Sequence, residues 1–220
     1  MFEGLERITL SEDWITIILL LVLTLITLIK INYNDRFTKL FSLLYSDKYY
    51  TDYSKTNPLL FNVFHFLFIL VVILNISLVI FNSFVVLKPL DFEYGFSFFL
   101  RINLVVILYF FIRYILGYII AYIFDENDKQ KYFTFLKISN LSLISILLYP
   151  LLILVNYSVG LFHNFLIIFS IITIIILFFL RYFTLVKKEK TTFNSLFYLF
   201  LYLCALEIAP FIVIYKAFVD

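Results

Sequence analysis

The sequence is poor in the residues from which most catalytic and metal sites are built. Cys204 is its only cysteine, and its 220 residues include two histidines, four glycines and four prolines. One cysteine forms no internal disulfide and builds no multi-cysteine metal site. The glycines stand far apart, which excludes the glycine-rich turns of nucleotide-binding sites. We therefore expect no catalytic residues, no metal and no cofactor, and an enzymatic role is the less favoured interpretation.

Charge is also scarce. Charged residues make up 15% of the chain, 64% of it is hydrophobic, 21% is aromatic, and the formal net charge is +2. A soluble domain is about 25% charged and about 45–50% apolar, so a chain of this length could not hide so much apolar surface from water. The low net charge excludes a nucleic-acid-binding domain. The composition predicts a polytopic membrane protein whose main contact is the lipid bilayer.

The two histidines exclude a shared haem or metal ion. His65 lies near the start of the second apolar run and His163 near the start of the fifth. Successive runs cross the membrane in opposite directions. The second and fifth runs are three crossings apart, so they start on opposite sides of the membrane and the two histidines belong to opposite leaflets. The spacings of zinc proteases and cysteine pairs are also absent.

Six apolar runs are long enough to cross a membrane. A bilayer core about 30 Å thick requires about 20 mostly apolar helical residues. The predicted spans are residues 14–31, 58–87, 96–124, 133–155, 161–185 and 193–218. We therefore predict an all-α, polytopic transmembrane helical bundle of six spans, with residues 1–220 forming a single integral membrane domain.

The basic residues predict the orientation. Twelve of them fall in the segments that follow the first, third and fifth spans: Lys30, Arg36, Lys39, Lys48, Lys55, Lys129, Lys131, Lys137, Arg181, Lys187, Lys188 and Lys190. Three fall on the other side: Arg7, Lys88 and Lys216. Because basic loops stay in the cytoplasm, we expect an inner-membrane protein with both termini in the periplasm.

A short amphipathic helix is predicted after the first span, at about residues 35–46, with Asn34 as its N-cap. Its apolar positions recur with helical spacing: Phe37, Leu40, Phe41 and Leu44. A helix of this kind lies in the membrane interface with its apolar side in lipid or in a hydrophobic groove.

Polar and charged residues inside the predicted spans are the strongest functional signal. Such groups are costly in lipid and commonly face the interior of a bundle. They are Glu207, Arg113, Arg101 and Asn75. We predict that spans three and six touch and that Arg113 pairs with Glu207. Two interpretations remain open for this pair: a structural clasp, or a working proton or ligand site.

Residues 201–216 read LYLCALEIAPFIVIYK. This segment resembles the C-terminal motif YLCALEIxP of a family of uncharacterised multi-pass inner-membrane proteins of the Bacteroidota, known as a domain of unknown function. The matching positions are Tyr202, Glu207, Pro210, Tyr215 and Lys216. The resemblance implies a bacterial inner-membrane location and assigns no reaction to this chain.

Three functions fit these observations. The first is a non-enzymatic membrane subunit or scaffold of an envelope assembly, for example in secretion or gliding, with a membrane-protein partner. The second is a small transporter or proton-coupled protein that uses Glu207 and Arg113. The third is a membrane enzyme that acts on a lipid-linked substrate near Asp91 and Glu93. The sequence leaves the oligomeric state open.

Overall fold

The computed structural model describes residues 13–43, 49, 63–87, 95–123, 125, 127–158, 162, 165–173 and 176. All regular secondary structure within these ranges is helical. Long apolar runs favour helices because a helix satisfies its own backbone hydrogen bonds where water is absent. The prediction of an all-α protein is confirmed for this part of the chain.

The first three helices are α1 (Asp13–Asn32), α2 (Asn34–Ser42) and α3 (Val63–Leu87). Helix α1 begins at an acidic residue and has Lys30 in its last turn. Both charges oppose the partial charges of the helix ends and therefore stabilise them.

Two longer helices follow, α4 (Phe96–Ile123) and α5 (Asn127–Tyr157). Helices α1, α3, α4 and α5 are each long and apolar enough to cross a membrane. They coincide with the first four predicted spans, and α5 begins six residues earlier than predicted. Its polar first turns therefore extend the helix beyond the apolar segment. Of the predicted span 161–185, residues 165–173 are helical, and the predicted span 193–218 lies outside the described residues.

Ring contacts show how the helices run. Trp14, in the first turn of α1, lies 5.1 Å from Phe81 and 5.3 Å from Phe99, between ring centroids. Tyr33, just after α1, lies 5.6 Å from Phe64. The start of α1 thus meets the end of α3 and the start of α4, which we call the Trp14 end. The opposite end, where Tyr33 meets Phe64, is the α2 end.

Helix α5 runs parallel to α3. The rings of His65 and Phe135 lie 5.4 Å apart at the α2 end, whereas the hydroxyls of Thr16 and Tyr157 lie 3.0 Å apart at the Trp14 end. The four long helices therefore alternate in direction along the chain. Helix α3 contacts α1, α4 and α5, and 56% of its most apolar window is buried, against 17% for α4.

The turn between α4 and α5 is tight. Asp125 adopts a φ of 54°, in the left-handed region. Aspartate tolerates this region because its short side chain bonds locally to the backbone. Asp125 lies in the short connection after which α5 runs antiparallel to α4.

Helix α2 packs on the bundle. Phe37 and Leu40 are buried, and the ring of Phe37 stacks on that of Phe68 at 6.4 Å. Phe41 is half-buried with its ring 5.3 Å from Phe37, and Leu44 lies outside the described residues. The apolar side of α2 therefore lies against protein, while its place in a membrane interface stays a prediction.

The predicted N-cap of α2 is wrong. Tyr33 holds the cap position, and its side chain makes no capping hydrogen bond. Asn34 is already helical, and its carbonyl accepts a hydrogen bond from the Thr38 hydroxyl at 3.0 Å. The stacking of Phe37 on Phe68 and the Tyr33–Phe64 contact fix the chain here, so helix entry is set by packing rather than by an asparagine cap.

Candidate polar site inside the bundle

A hydrogen bond inside the bundle joins α3 to α5. Asn75 is 1% exposed, and its Nδ2 donates to the carbonyl of Ser145 at 3.1 Å and to the Ser145 Oγ at 2.8 Å. The register agrees with the His65–Phe135 contact, because both pairs are seventy residues apart in sequence. Asn75 therefore fixes the axial register of α3 against α5.

Two more bonds lie at the same height. Nδ2 of Asn103 on α4 donates to Ser77 Oγ at 3.3 Å, and the hydroxyl of Tyr149 on α5 donates to the carbonyl of Leu19 on α1 at 3.1 Å. Together with the Asn75–Ser145 pair, these bonds form what we call the middle layer. All four long helices contribute to it, so polar groups connect α1, α3, α4 and α5 to one another.

One acceptor of the middle layer is unfilled. The Ser145 carbonyl can only accept, so the Asn75 amide must turn its NH₂ group toward it and its Oδ1 away. That Oδ1 is buried and has no hydrogen-bond partner among the described residues. A buried acceptor left without a donor costs about 1–3 kcal/mol. The Asn75 side chain thus bonds α3 to α5 and keeps its Oδ1 as an unused hydrogen-bond acceptor.

Pro150 adds a local weakness in α5 beside the middle layer. It lies inside the helix and has no N–H to donate to the carbonyl four residues earlier, that of Ile146. Tyr149, next to it, reaches α1 through its hydroxyl. The bond to α1 therefore holds α5 at the point where its own backbone ladder is interrupted.

Arg113 lies on the inward side of α4. Val106 and Gly117, which are buried, lie seven residues before it and four after it, and these spacings place all three on one face. The guanidinium donates to the Tyr109 hydroxyl at 3.5 Å, and its carbon lies 6.0 Å from the centre of that ring. A half-buried arginine on this face presents positive charge toward the interior of the bundle.

The predicted set of intramembrane polar residues does not come together in the described part. Arg113 is ten residues beyond Asn103 along α4, so it lies about 15 Å from the middle layer toward the α2 end. Arg101 lies near the Trp14 end and is exposed. Asn75 belongs to the middle layer, and Glu207 lies outside the described residues.

His65 sits in an aromatic environment near the α2 end. It is buried, with its ring 5.4 Å from each of Phe64 and Phe135 in edge-to-face geometry. Its Nδ1 has no hydrogen-bond partner in the described ranges. His163 lies outside them, and within them no three histidine, cysteine, aspartate or glutamate side chains are placed to hold a metal ion.

Several predicted residues lie outside the described part of the chain. They are the motif residues Tyr202, Glu207, Pro210, Tyr215 and Lys216, and the carboxylates Asp91 and Glu93. The predicted contact between spans three and six therefore stays a prediction.

The sequence analysis missed the serines of α5. Ser139, Ser142 and Ser145 are buried, and they recur every three residues in a mostly apolar run. That spacing places them on one side of a helix and was a usable signal of a polar helix–helix seam. Ser139 and Ser142 donate to carbonyls of their own helix at 2.8 and 2.7 Å, while Ser145 bonds across to α3.

The chain also matches a known family model. The model is described as a domain of unknown function (DUF4271), and the match covers residues 15–218. Among curated proteins and solved structures, none matches this chain.

Proposed function

Since the chain belongs to the family described as a domain of unknown function (DUF4271), we propose its function from the geometry: it is a non-enzymatic integral inner-membrane subunit, or scaffold, of a bacterial envelope assembly. The observation that carries the proposal is the middle layer. Its polar side chains bond helix to helix, as in Asn75–Ser145 and Asn103–Ser77, and so serve the rigidity of the body. A rigid membrane body suits a protein that holds partners in place.

Helix α4 offers the surface for a partner. Phe111, Tyr114 and Tyr118 are spaced so that they share one side of α4, and they are 60%, 41% and 57% exposed. Aromatic rings bury a large area when they pack, and the tyrosine hydroxyls add hydrogen-bond donors that lipid tails cannot satisfy. This surface suits a membrane helix of another protein better than it suits lipid alone.

The charges support an inner-membrane orientation. Most basic side chains near the helix ends of the described bundle lie at the α2 end, whereas Arg101 lies near the Trp14 end; those at the α2 end are Lys30, Arg36, Lys39, Lys131 and Lys137. Under the positive-inside rule this end faces the cytoplasm, and the Trp14 end faces the periplasm. Helix α2 then presents its polar side to cytoplasmic partners.

Photo-crosslinking tests the proposal. A photoreactive phenylalanine analogue replaces Phe111 on α4 in the full-length chain at native expression, and the matched control replaces Leu23, an exposed residue near the middle of α1. We expect a defined heavier protein adduct from position 111, absent or weak at position 23, that co-purifies in mild detergent. Lipid adducts alone at both positions, with a solitary monomer after purification, would contradict the scaffold.

One observation favours a second function, a small transporter or proton-coupled protein. Arg113 lies on the inward side of α4, where a guanidinium can bind an anion or a carboxylate. In this proposal Glu207 is its partner. Proton flux or uptake in proteoliposomes that is lost in Glu207→Gln and kept in Arg101→Gln would favour transport over the scaffold.

A further inference from the structure

We propose that the corner between α1 and α2 is a binding site for one anionic phospholipid, with the lipid phosphate at Lys30 and Asn34. The proposal rests on the inner-membrane location proposed above and adds a ligand that the scaffold role does not require. Three features carry it: a cleft, the chemistry of its lining and the charge of its surroundings.

The cleft has a volume of about 450 Å³ and is lined by Thr27, Lys30, Ile31 and Asn34. Pockets that hold small molecules span about 300–1,000 Å³, so the space is sufficient for a headgroup. It lies where the last turns of α1 meet the first residue of α2.

A break in the helix creates this corner. Tyr33 has φ −135° and ψ 44°, outside the helical region. The backbone bonds continue on both sides of it, from Tyr33 N to the Ile29 carbonyl and from Phe37 N to the Tyr33 carbonyl, each at 2.9 Å. Because Phe37 stacks on Phe68 and Leu40 is buried, α2 is held across the end of α1. The packing of α2 on the bundle therefore sets the corner at which the cleft lies.

The lining matches a phospholipid. The Lys30 ammonium and the Asn34 side-chain amide both line the cleft and are hydrogen-bond donors for phosphate oxygens. Ile31, 76% exposed, and the methyl group of Thr27 offer apolar contact for the start of an acyl chain. Asp35 follows Asn34 but does not line the cleft. A soluble anion would use only the polar half of this lining.

The surroundings favour an anionic lipid over a zwitterionic one. Arg36 and Lys39 on α2, with Lys131 and Lys137 on α5, place further positive charge at the same end of the bundle. Basic groups near a membrane surface each contribute about 1 kcal/mol to the binding of anionic lipids. The positive charge at the α2 end raises the local concentration of anionic lipids, and the cleft binds one of them.

Native mass spectrometry of the full-length protein tests the site. The protein in detergent is titrated with phosphatidylglycerol, phosphatidylcholine or inorganic phosphate, and the bound fraction is measured. We expect one tightly bound phosphatidylglycerol, weaker binding of phosphatidylcholine, and no displacement by inorganic phosphate. Lys30→Gln should weaken phosphatidylglycerol binding about fivefold, the loss that corresponds to about 1 kcal/mol, and Lys30→Arg should restore most of it.

The matched control is Lys131→Gln, which removes the same charge from an exposed position at the same end but outside the cleft. We expect it to change binding less than about twofold. Equal losses in the two glutamine variants would overturn the site and leave a diffuse electrostatic attraction. Displacement by inorganic phosphate would reassign the cleft to a soluble anion. Either result leaves the crosslinks at position 111 unchanged, so the scaffold is judged separately.

Discussion

Single polar side chains decide how the helices of this bundle align. Packing of leucine and isoleucine surfaces fixes an orientation only loosely, since such surfaces fit at several registers. Asn75 fits at one, because its amide must reach the Ser145 carbonyl and hydroxyl together. Its unfilled Oδ1 shows that this specificity is obtained at some loss of stability.

The Asn75–Ser145 pair provides a quantitative prediction. Asn75→Leu keeps the volume and removes both the interhelical bonds and the unfilled Oδ1, so the two effects oppose each other and we expect the free energy of unfolding to change by less than about 1.5 kcal/mol. A double-mutant cycle with Ser145→Ala, measured by denaturant titration in detergent, should give a coupling of about 0.6 kcal/mol or more.

The control for this cycle is Asn156→Leu. The amide of Asn156 donates to the Leu152 carbonyl of its own helix at 2.8 Å and does not bridge helices. We expect its effect to be additive with Ser145→Ala. Additive effects of Asn75→Leu and Ser145→Ala would show that the pair does not hold α3 on α5.

A second prediction at this scale concerns Arg113. If Glu207 is its partner, Arg113→Ala and Glu207→Ala should each lower protein yield, because each leaves one charge alone at membrane depth. The double variant should lose less than the sum of the two. Arg101→Ala, on an exposed part of the same helix, is the control and should have little effect. Strictly additive losses of yield would show that Arg113 and Glu207 do not pair.

Among the elements, α2 depends most on its surroundings. A helix of nine residues is too short to be stable alone in water, so its structure comes from contacts with the bundle. Those contacts are made by Phe37 and Leu40, which lie three residues apart on the buried side. The same contacts build the cleft at Lys30.

Substitution of Leu40 should release α2. Leu40 is 1% exposed, and Leu40→Ser removes a fully buried side chain, a change that costs about 2–5 kcal/mol in a packed core. We expect faster amide hydrogen exchange across residues 34–42 with little change in α3. Thr38→Ser, on the exposed side, should exchange like the unmodified protein. Unchanged protection in Leu40→Ser would mean that lipid, not the bundle, holds α2.

For the whole molecule, the alternating directions of α1, α3, α4 and α5 group the charges. Lys30 ends α1, Arg36 and Lys39 lie on α2, and Lys131 begins α5, yet all reach the α2 end. Two helices, α3 and α4, lie between the basic segment at α1 and α2 and the basic segment at the start of α5. Because two crossings return the chain to the end from which it left, both basic segments lie at the α2 end.

The predicted topology rests on this grouping and can be tested from both sides of the membrane. A reporter that is active only in the periplasm should work when it is fused after Asp220, and a cysteine placed at Lys39 should be labelled only from the cytoplasmic side. A cysteine at Gly95, at the Trp14 end, should show the opposite access. Labelling of position 39 from the periplasm would reverse the orientation and the leaflet of the lipid site.

The sequence by itself determined the helices. Continuous apolar runs predicted α1, α3, α4 and α5 near their observed bounds, because run length and the absence of alternation are local properties. The same spacing rule placed Phe37 and Leu40 on one side of α2. Arg113 was singled out from its charge alone.

Only the tertiary structure decided what these sides touch. The apolar side of α2 lies on Phe68, Asn75 bonds to Ser145, and Tyr33 rather than Asn34 holds the N-cap position of α2. Each outcome depends on which helix lies opposite and at what register. The deciding contacts join residues that are far apart in the sequence, 31 positions for Phe37 and Phe68 and 70 for Asn75 and Ser145, and no local pattern contains them.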